Sequence, residues 1–412
     1  MLKKVKNLLK KLGPGVITGA ADDDPSGITI YSQAGAQGGL SLLWTAPFTF
    51  PLMVAIQEMC ARIGAVTGRG LVGTMRRHYP KSVLWLVATS VLIANTVNIS
   101  ADLAGMAAAT RLFLPINASI LAAFYALIIV LLFFSFSFKK LTSILKWLTL
   151  SLGAYVLTSF VIKQDWQLIL FNTIIPHISL TRDYLLLMTA IFGTTISPYL
   201  FFWQASEEAQ EIKETGKNQQ QVTNSELKMI RTDVGLGMFF SNLVMFFIIA
   251  ATAATLFPAG IHSIQTAEQA AAALKPLAGN AAFVLFGLGI LGTGALAIPV
   301  LAGSAAYAFS ELFGIEGGFS KSFAKSKIFH LIIIVSTLGG FAINVFGIDA
   351  FRALFLTGVL YGVLSPILIL IILHIANSKA IMGKMTNGLF SNVLGVAILV
   401  LMSLTVLGSL VL

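Results

Sequence analysis

Ala20-Ala-Asp-Asp-Asp-Pro-Ser-Gly-Ile-Thr-Ile-Tyr-Ser-Gln33 sets three consecutive carboxylates, Asp22, Asp23 and Asp24, inside an otherwise apolar segment, residues 14–37. Each would cost roughly 2.5–3.5 kcal/mol at the centre of a membrane helix. No Lys or Arg lies within ten residues of the three, so no local cation offsets them. Pro25 cannot donate a backbone hydrogen bond, and Gly27 lets the chain leave helical geometry. The helix is therefore expected to break at residues 24–27. Irregular backbone at membrane depth is tolerated where it lines a cavity, and the carbonyls it frees are ready cation ligands. Carboxylates, carbonyls and hydroxyls together suit a hard divalent cation. The plainer reading is a polar loop outside the membrane; the helix-compatible flanks at 12–21 and 28–37 argue against it.

The whole chain supports a membrane setting. It has 412 residues, 57% hydrophobic and 11% charged, against about 25% charged in a soluble domain. The composition predicts an all-α polytopic membrane protein forming one transmembrane domain, 1–412. The single cysteine, Cys60, excludes an internal disulfide and a Cys-rich metal site, and in an apolar helix it reads as packing. The basic start of the chain lacks the clean apolar core and small-residue cleavage site of a signal peptide.

Spanning a bilayer takes about 20 apolar residues. Eleven runs qualify, at 14–37, 42–65, 83–112, 120–136, 147–162, 184–203, 234–256, 281–312, 328–346, 350–375 and 390–411. With the N-terminus cytoplasmic, 22 of the 27 Lys and Arg fall inside; only Arg111, Lys163, Arg182, Lys275 and Arg352 fall outside. That bias obeys the positive-inside rule and would be scrambled by a wrong span count. It predicts a multi-pass plasma-membrane protein with its N-terminus cytoplasmic and its C-terminus outside. It also explains the net charge of +10 through topology, without nucleic acid as a partner. The lipid bilayer and a transported ion are the expected partners.

The sixth run repeats the pattern of the first. Thr194, Thr195, Ser197 and Pro198 sit at its middle, where the proline removes a donor and the hydroxyls cap the opened turn. Two proline-interrupted segments five positions apart have opposite orientations. That is the signature of inverted repeats, here runs one to five (about 13–163) and six to ten (about 184–376), followed by an extra helix (about 390–411). Interrupted segments in corresponding positions mark a transporter's binding site. The oxygen-bearing residues of the two breaks are the candidate metal-site residues: Asp24, Ser26 and Gly27 in the first, Thr194, Thr195 and Ser197 in the second. Asp22 and Asp23 are accessory candidates that would recruit or hold the hydrated ion.

Other polar residues carry plainer readings. Glu58 has Arg62 four residues on and reads as a helical ion pair. Asp102 is either a second polar station beside the ion path or a structural Asp hydrogen-bonded near Asn95, Asn98 and Ser100. The polar loop 205–230, with Glu207, Glu208, Glu211 and Glu214 among Lys213 and Lys217, reads as a solvated cytoplasmic helix. The five His form no His-x-x-x-His pair and no phosphate-binding Gly-x-x-x-x-Gly-Lys-Ser/Thr loop occurs, so a zinc hydrolase and an ATP-driven pump are unsupported. No enzymatic activity and no cofactor is expected.

Gly13-Pro-Gly15, Asp24-Pro25, Gln33-Ala-Gly-Ala-Gln37, Leu42-Leu-Trp44, Ala61-Arg-Ile-Gly64, Val66-Thr-Gly68, His78-Tyr-Pro80, Asp102-Leu-Ala104 and Met382-Gly383 together resemble the Nramp family of divalent-metal transporters, in order through nearly the whole chain. The resemblance implies a LeuT-like fold of about eleven helices, a metal site between helices one and six, and uptake into the cytoplasm. The departures from the family are specific. Its Asp-Pro-Gly-Asn is Asp24-Pro25-Ser26-Gly27 here, so the Asp is kept and the Asn ligand is lost. Its Met-Pro-His is Ser197-Pro198-Tyr199, without the thioether ligand or the His linked to proton movement. Its Asp-Leu-Ala-Glu is Asp102-Leu103-Ala104-Gly105, and where its tenth helix offers a Gln, Thr357 and Gly358 stand. Tyr199, Asp102, Thr357 and Gly358 thereby join the accessory candidates.

Soft sulfur favours later transition metals, while carboxylate, carbonyl and water suit Mg²⁺ and Mn²⁺. A roomier oxygen site fits an ion that gives up water reluctantly. The pattern is similar to the Nramp-related magnesium transporters, and it predicts import of Mg²⁺ or Mn²⁺ by alternating access without obligatory proton coupling. The alternatives are a proton-coupled Mn²⁺/Fe²⁺ symporter of the main Nramp type and a LeuT-like symporter of a small organic solute. Three Asp at the break would repel a substrate carboxylate in the last case. An intramembrane aspartyl protease built on Asp24 and Asp102 would show Gly-x-Gly-Asp, which is missing.

Overall fold

The structure is a computed structural model that describes residues 13–135, 152–162, 164–214, 222–319, 321, 323–347 and 349–411. The basic residues Lys3, Lys4, Lys6, Lys10, Lys11, Lys139, Lys140, Lys146, Lys163 and Lys217, and most of the expected fifth run, lie outside the described residues.

Among the described residues the chain is helical and contains no strand. Thirteen helices carry the architecture: α1 (Pro14–Asp22), α2 (Pro25–Gly38), α3 (Thr45–Thr67), α4 (Lys81–Thr110), α5 (Ala118–Ser135), α6 (Gly153–Val161), α7 (Arg182–Thr195), α8 (Pro198–Glu214), α9 (Asn224–Thr255), α10 (Ala282–Phe313), α11 (Lys327–Asn344), α12 (Ala350–Asn377) and α13 (Leu389–Val411). Both expected breaks are present. The first run divides into α1 and α2 at Asp23–Asp24, and the sixth into α7 and α8 at Ile196–Ser197.

Among the described residues, seven spans are long and apolar enough to cross a membrane, or eight if Pro25–Leu42 and Thr45–Thr67, bent by 110°, count as one. The expected eleven runs exceed this for physical reasons. The broken first run gives two pieces of 9 and 14 residues. The fourth run is a shorter apolar helix, and the fifth is mostly undescribed. Large apolar side chains lie exposed along the outside of the bundle, among them Leu170, Ile367, Leu370, Leu404 and Leu410. Lipid is the environment in which such a surface is stable.

The two broken helices sit at the centre. α1 and α2 pack on α9, α8 packs on α3 and α10, and α7 packs on α12. α4 completes the ring against α10, α11 and α12. The α1–α9 contact is backbone on backbone. A Cβ at Gly19 would lie 2.3 Å from the Gly237 carbonyl oxygen, and one at Gly237 would lie 2.1 Å from that of Gly15. Small residues allow this close approach of membrane helices. The Asp233 carboxylate then accepts hydrogen bonds from the Gly13 and Gly15 N–H groups at 2.9 and 2.7 Å, satisfying donors at the start of α1.

The ion-pair reading of Glu58 and Arg62 holds at 3.1 Å, and Arg231 of α9 joins the same carboxylate at 3.1 Å. Arg62 also donates to the Met385 carbonyl oxygen and to Asn387, fastening the link between α12 and α13. Cys60 is fully buried, as its packing role predicts. The solvated-helix reading of 205–230 needs correction in its first half. Glu208 is 3% exposed and accepts a 3.0 Å hydrogen bond from Gln204, because α8 continues inward as the second half of a buried broken span.

Candidate functional site

The acidic triplet is divided by the helix break. Asp22 is the last residue of α1, Asp23 caps it, and Asp24 is the N-cap of α2. All three are buried, at 0, 5 and 1% exposure. Asp24 Oδ1 accepts from the Gly27 N–H at 2.8 Å and from the Ser26 hydroxyl at 2.5 Å, while Oδ2 accepts from Asn98 Nδ2 of α4 at 2.9 Å. Three neutral donors hold a carboxylate in place without cancelling its charge. Asp22 and Asp23 turn the other way and share the Ser241 hydroxyl of α9, at 2.5 and 3.2 Å. Asp22 Oδ1 is left with no hydrogen-bond partner among the described residues.

The second break lies opposite the first. The Thr194 hydroxyl is 3.4 Å from that of Ser26, and the Thr195 hydroxyl is 3.4 Å from that of Tyr31 while donating to the Ile191 carbonyl oxygen. The Ser197 hydroxyl reaches the carbonyl oxygens of Gly193 and Thr194 at 2.8 and 2.5 Å, closing the end of α7. Tyr199 donates to the Ala21 carbonyl oxygen at 2.8 Å. Gly27 sits where the two breaks approach each other. A Cβ there would lie 3.3 Å from the Asp22 carbonyl oxygen and 3.4 Å from Thr194 Oγ1.

The structure therefore brings Asp24, Ser26, Gly27, Thr194, Tyr199 and the Asp22 backbone to one place, with Thr195 and Ser197 in its second wall. The Asp22 and Asp23 side chains point to α9. Thr357 donates to the Leu354 carbonyl oxygen within α12. Gly358 serves close packing, since a Cβ there would meet Ile30 Cδ1 at 2.3 Å and the Ala190 carbonyl oxygen at 3.0 Å. At Gly105 a Cβ would lie 3.1 Å from Leu354 and 3.4 Å from Pro25, so apolar atoms border that position.

Asp102 is fully buried, and both its oxygens lack a partner among the described residues. The hydrogen-bonded structural reading is thus not what the fold provides. Asn98 is committed to Asp24, and Asn95 donates to the Leu301 carbonyl oxygen and accepts from Tyr361. Sequence reasoning missed Ser241 as a partner of Asp22 and Asp23, and Asn98 as the partner of Asp24. Ser241-Asn242 amid an apolar run was the one available signal for the first.

Chemically, the place is a set of oxygens around the Asp24 carboxyl group. No three His, Cys, Asp or Glu among the described residues are arranged to hold a metal by themselves. An ion here would rely on Asp24 with hydroxyls, carbonyls and retained water, the coordination that hard cations accept.

Residues 15–412 match the family described as Natural resistance-associated macrophage protein-like, Nramp. A divalent metal cation transporter MntH of Pectobacterium carotovorum is 25% identical over 409 residues, covering 97% of this chain and 93% of that one. The protein of the same name from Yersinia enterocolitica is 25% identical over 393 residues, covering 94% and 91%. Among solved structures, the Eremococcus coleocola manganese transporter superposes with a TM-score of 0.76 at 18% identity, covering 98% of this chain and 86% of that one. Mhp1, a nucleobase-cation-symport-1 family transporter, superposes in a closed conformation with a TM-score of 0.54 at 12% identity, covering 97% and 91%. These likenesses show a LeuT-like fold.

Proposed function

The chain belongs to the Nramp family, and from that premise we propose that it is a secondary transporter or facilitator importing divalent metal cations, Mg²⁺ or Mn²⁺ favoured, by alternating access without obligatory proton symport. The observation that carries this reading is the setting of Asp24. It is a buried carboxylate held by Gly27, Ser26 and Asn98 with no cationic partner among the described residues, facing a break lined by hydroxyls. A charge left uncompensated in a membrane interior calls for a cation. No thioether stands at Ser197, and the oxygens around Asp24 favour a harder ion than Fe²⁺.

In this reading Asp24 is the charged ligand. Ser26, Thr194, Thr195 and Ser197 supply oxygens, and Gly27, without a Cβ, lets the two breaks approach. Asp22 and Asp23, both on Ser241, are accessory oxygen-bearing groups beside the break that would recruit or hold the hydrated ion. The protein sits in the plasma membrane with its N-terminus and the Lys/Arg-rich loops in the cytoplasm, and residues 13–163 and 184–376 act as two inverted repeats that rock about the site. The test is a panel of Mg²⁺, Mn²⁺, Fe²⁺ and Ca²⁺ in proteoliposomes at matched internal and external pH. Uptake of Mg²⁺ or Mn²⁺ is expected, and transport of Fe²⁺ alone defeats the proposal.

One observation favours a second reading, proton-coupled Mn²⁺/Fe²⁺ symport. Asp102, buried and without a hydrogen-bond partner among the described residues, is available to carry a proton. Acidification in step with metal entry distinguishes the two.

A further inference from the structure

A cavity of about 810 Å³ opens between the segment after α3, the end of α8 and the segment after α10. That volume lies within the roughly 300–1,000 Å³ of small-molecule sites. None of its wall residues belongs to the two helix breaks. The wall carries five cations, Arg69, Arg76, Arg77, Lys213 and Lys321, and three carboxylates, Glu214, Glu311 and Glu316.

Two of the carboxylates are held mainly by other groups. Glu316 is taken by Lys321 at 2.5 Å and Lys213 at 3.7 Å, and the hydrogen bond from Lys321 together with both lysine charges holds its carboxyl below the ordinary range. Glu311 accepts from the Gly70 and Gly73 N–H groups at 2.5 and 2.9 Å. Among the described residues no carboxylate forms an ion pair with Arg69, Arg76 or Arg77. Burial and then the neighbouring Arg77 charge push the Arg69 guanidinium down from its usual value, with Glu311 opposing. The Arg76 guanidinium lies directly over Gly314, where a Cβ would fall 1.7 Å from Nη1, so the turn at Gly314 seats it. Ser206 Oγ, on the same wall, is buried and has no hydrogen-bond partner among the described residues.

Three guanidiniums on one wall, with Glu311 the opposing charge at Arg69, repel each other, and an anion between them relieves that repulsion. Guanidinium forks match phosphate oxygens in geometry and charge. We propose that this cavity binds a phosphate-bearing anion, with Arg69, Arg76 and Arg77 on the phosphate oxygens and the Ser206 hydroxyl as a neutral donor. A soluble nucleotide and the headgroup of an anionic phospholipid offer the same chemistry.

Binding is read on the purified full chain without transport, so it stands apart from the function proposed above. ADP in EDTA is titrated calorimetrically. Saturable binding is expected in the wild type, weaker by about tenfold or more in the R69Q/R77Q double variant. E316Q, which removes a negative charge and frees Lys213 and Lys321, is expected to tighten binding; a misfolded protein would not bind more tightly. In a second arm, native mass spectrometry follows added phosphatidylglycerol against phosphatidylcholine. If the headgroup is the source, phosphatidylglycerol is retained by the wild type and lost from R69Q/R77Q, while ADP does not bind. Either pattern supports the site. Absence of binding by both probes, or binding unchanged in R69Q/R77Q, overturns it.

Discussion

The Tyr199 hydroxyl donates a 2.8 Å hydrogen bond to the Ala21 carbonyl oxygen, so the second helix break holds the end of the first. The carbonyl is one that α1 frees by stopping at Asp22. Its partner stands at the start of α8, beside the Tyr361 ring at 5.7 Å. Tyr199→Phe keeps the ring contact and removes the donor. A buried carbonyl left unsatisfied costs about 1–3 kcal/mol, and a lowered melting temperature in a variant that still takes up metal is expected. Unchanged melting would show that the bond adds nothing to the fold.

Asp24→Asn removes the charge but keeps an oxygen able to accept from the Gly27 N–H. The variant is expected to fold as well as the wild type or better, since a lone buried charge is costly, and to lose transport. Asp24→Ala loses the N-cap as well, at about 1 kcal/mol. Uptake and thermal melting of both variants separate the two roles. Wild-type uptake by Asp24→Asn would remove Asp24 from the ion path.

Ser197→Met places a thioether at the end of α7, where the Ser197 hydroxyl now closes the turn onto Gly193 and Thr194. Sulfur is a soft ligand. The ratio of Mn²⁺ to Mg²⁺ uptake is expected to rise by about tenfold, equivalent to ~1.4 kcal/mol of preference. An unchanged ratio in a variant that still transports would show that position 197 does not face the ion.

Coupling is tested with a pH-sensitive dye inside proteoliposomes during Mg²⁺ or Mn²⁺ entry. Two charges crossing 100 mV gain about 4.6 kcal/mol, twice the roughly 2.3 per charge. That supports a concentration ratio of about three decades, so the membrane potential suffices. No acidification is expected with the potential clamped; acidification in step with entry would implicate Asp22, Asp23 or Asp102. Tyr199→His provides the positive control for a titrating group. An unperturbed His titrates near pH 6.5, and its charged form beside the break repels a cation. Uptake by this variant is expected to fall as the pH drops from about 8 to about 5. The wild type is expected to lack that loss.

Both breaks, and the oxygen-bearing residues at them, were legible because proline and glycine act locally. Pro25 and Pro198 begin new helices wherever the rest of the chain goes. Legibility failed where a side chain had a choice of partner. Asp22, Asp23 and Asp24 are adjacent in the chain, yet the turn between α1 and α2 sends two to Ser241 and one to Asn98, 219, 218 and 74 positions away. Glu208 looked solvated because its neighbours are polar, and only the insertion of α8 into the bundle buries it.

The sequence by itself determined that this chain spans a membrane and interrupts two of its helices with polar residues. Hydrophobic run length and missing backbone donors are properties of short segments, independent of what packs against them. Tertiary structure alone decided which oxygens meet across the breaks, that Asp102 lacks, among the described residues, the partners its neighbours promised, and that Arg69, Arg76 and Arg77 line one cavity. Those relations join residues from different helices. Packing sets them through contacts such as Gly19 on Gly237, where removal of a side chain brings two backbones together.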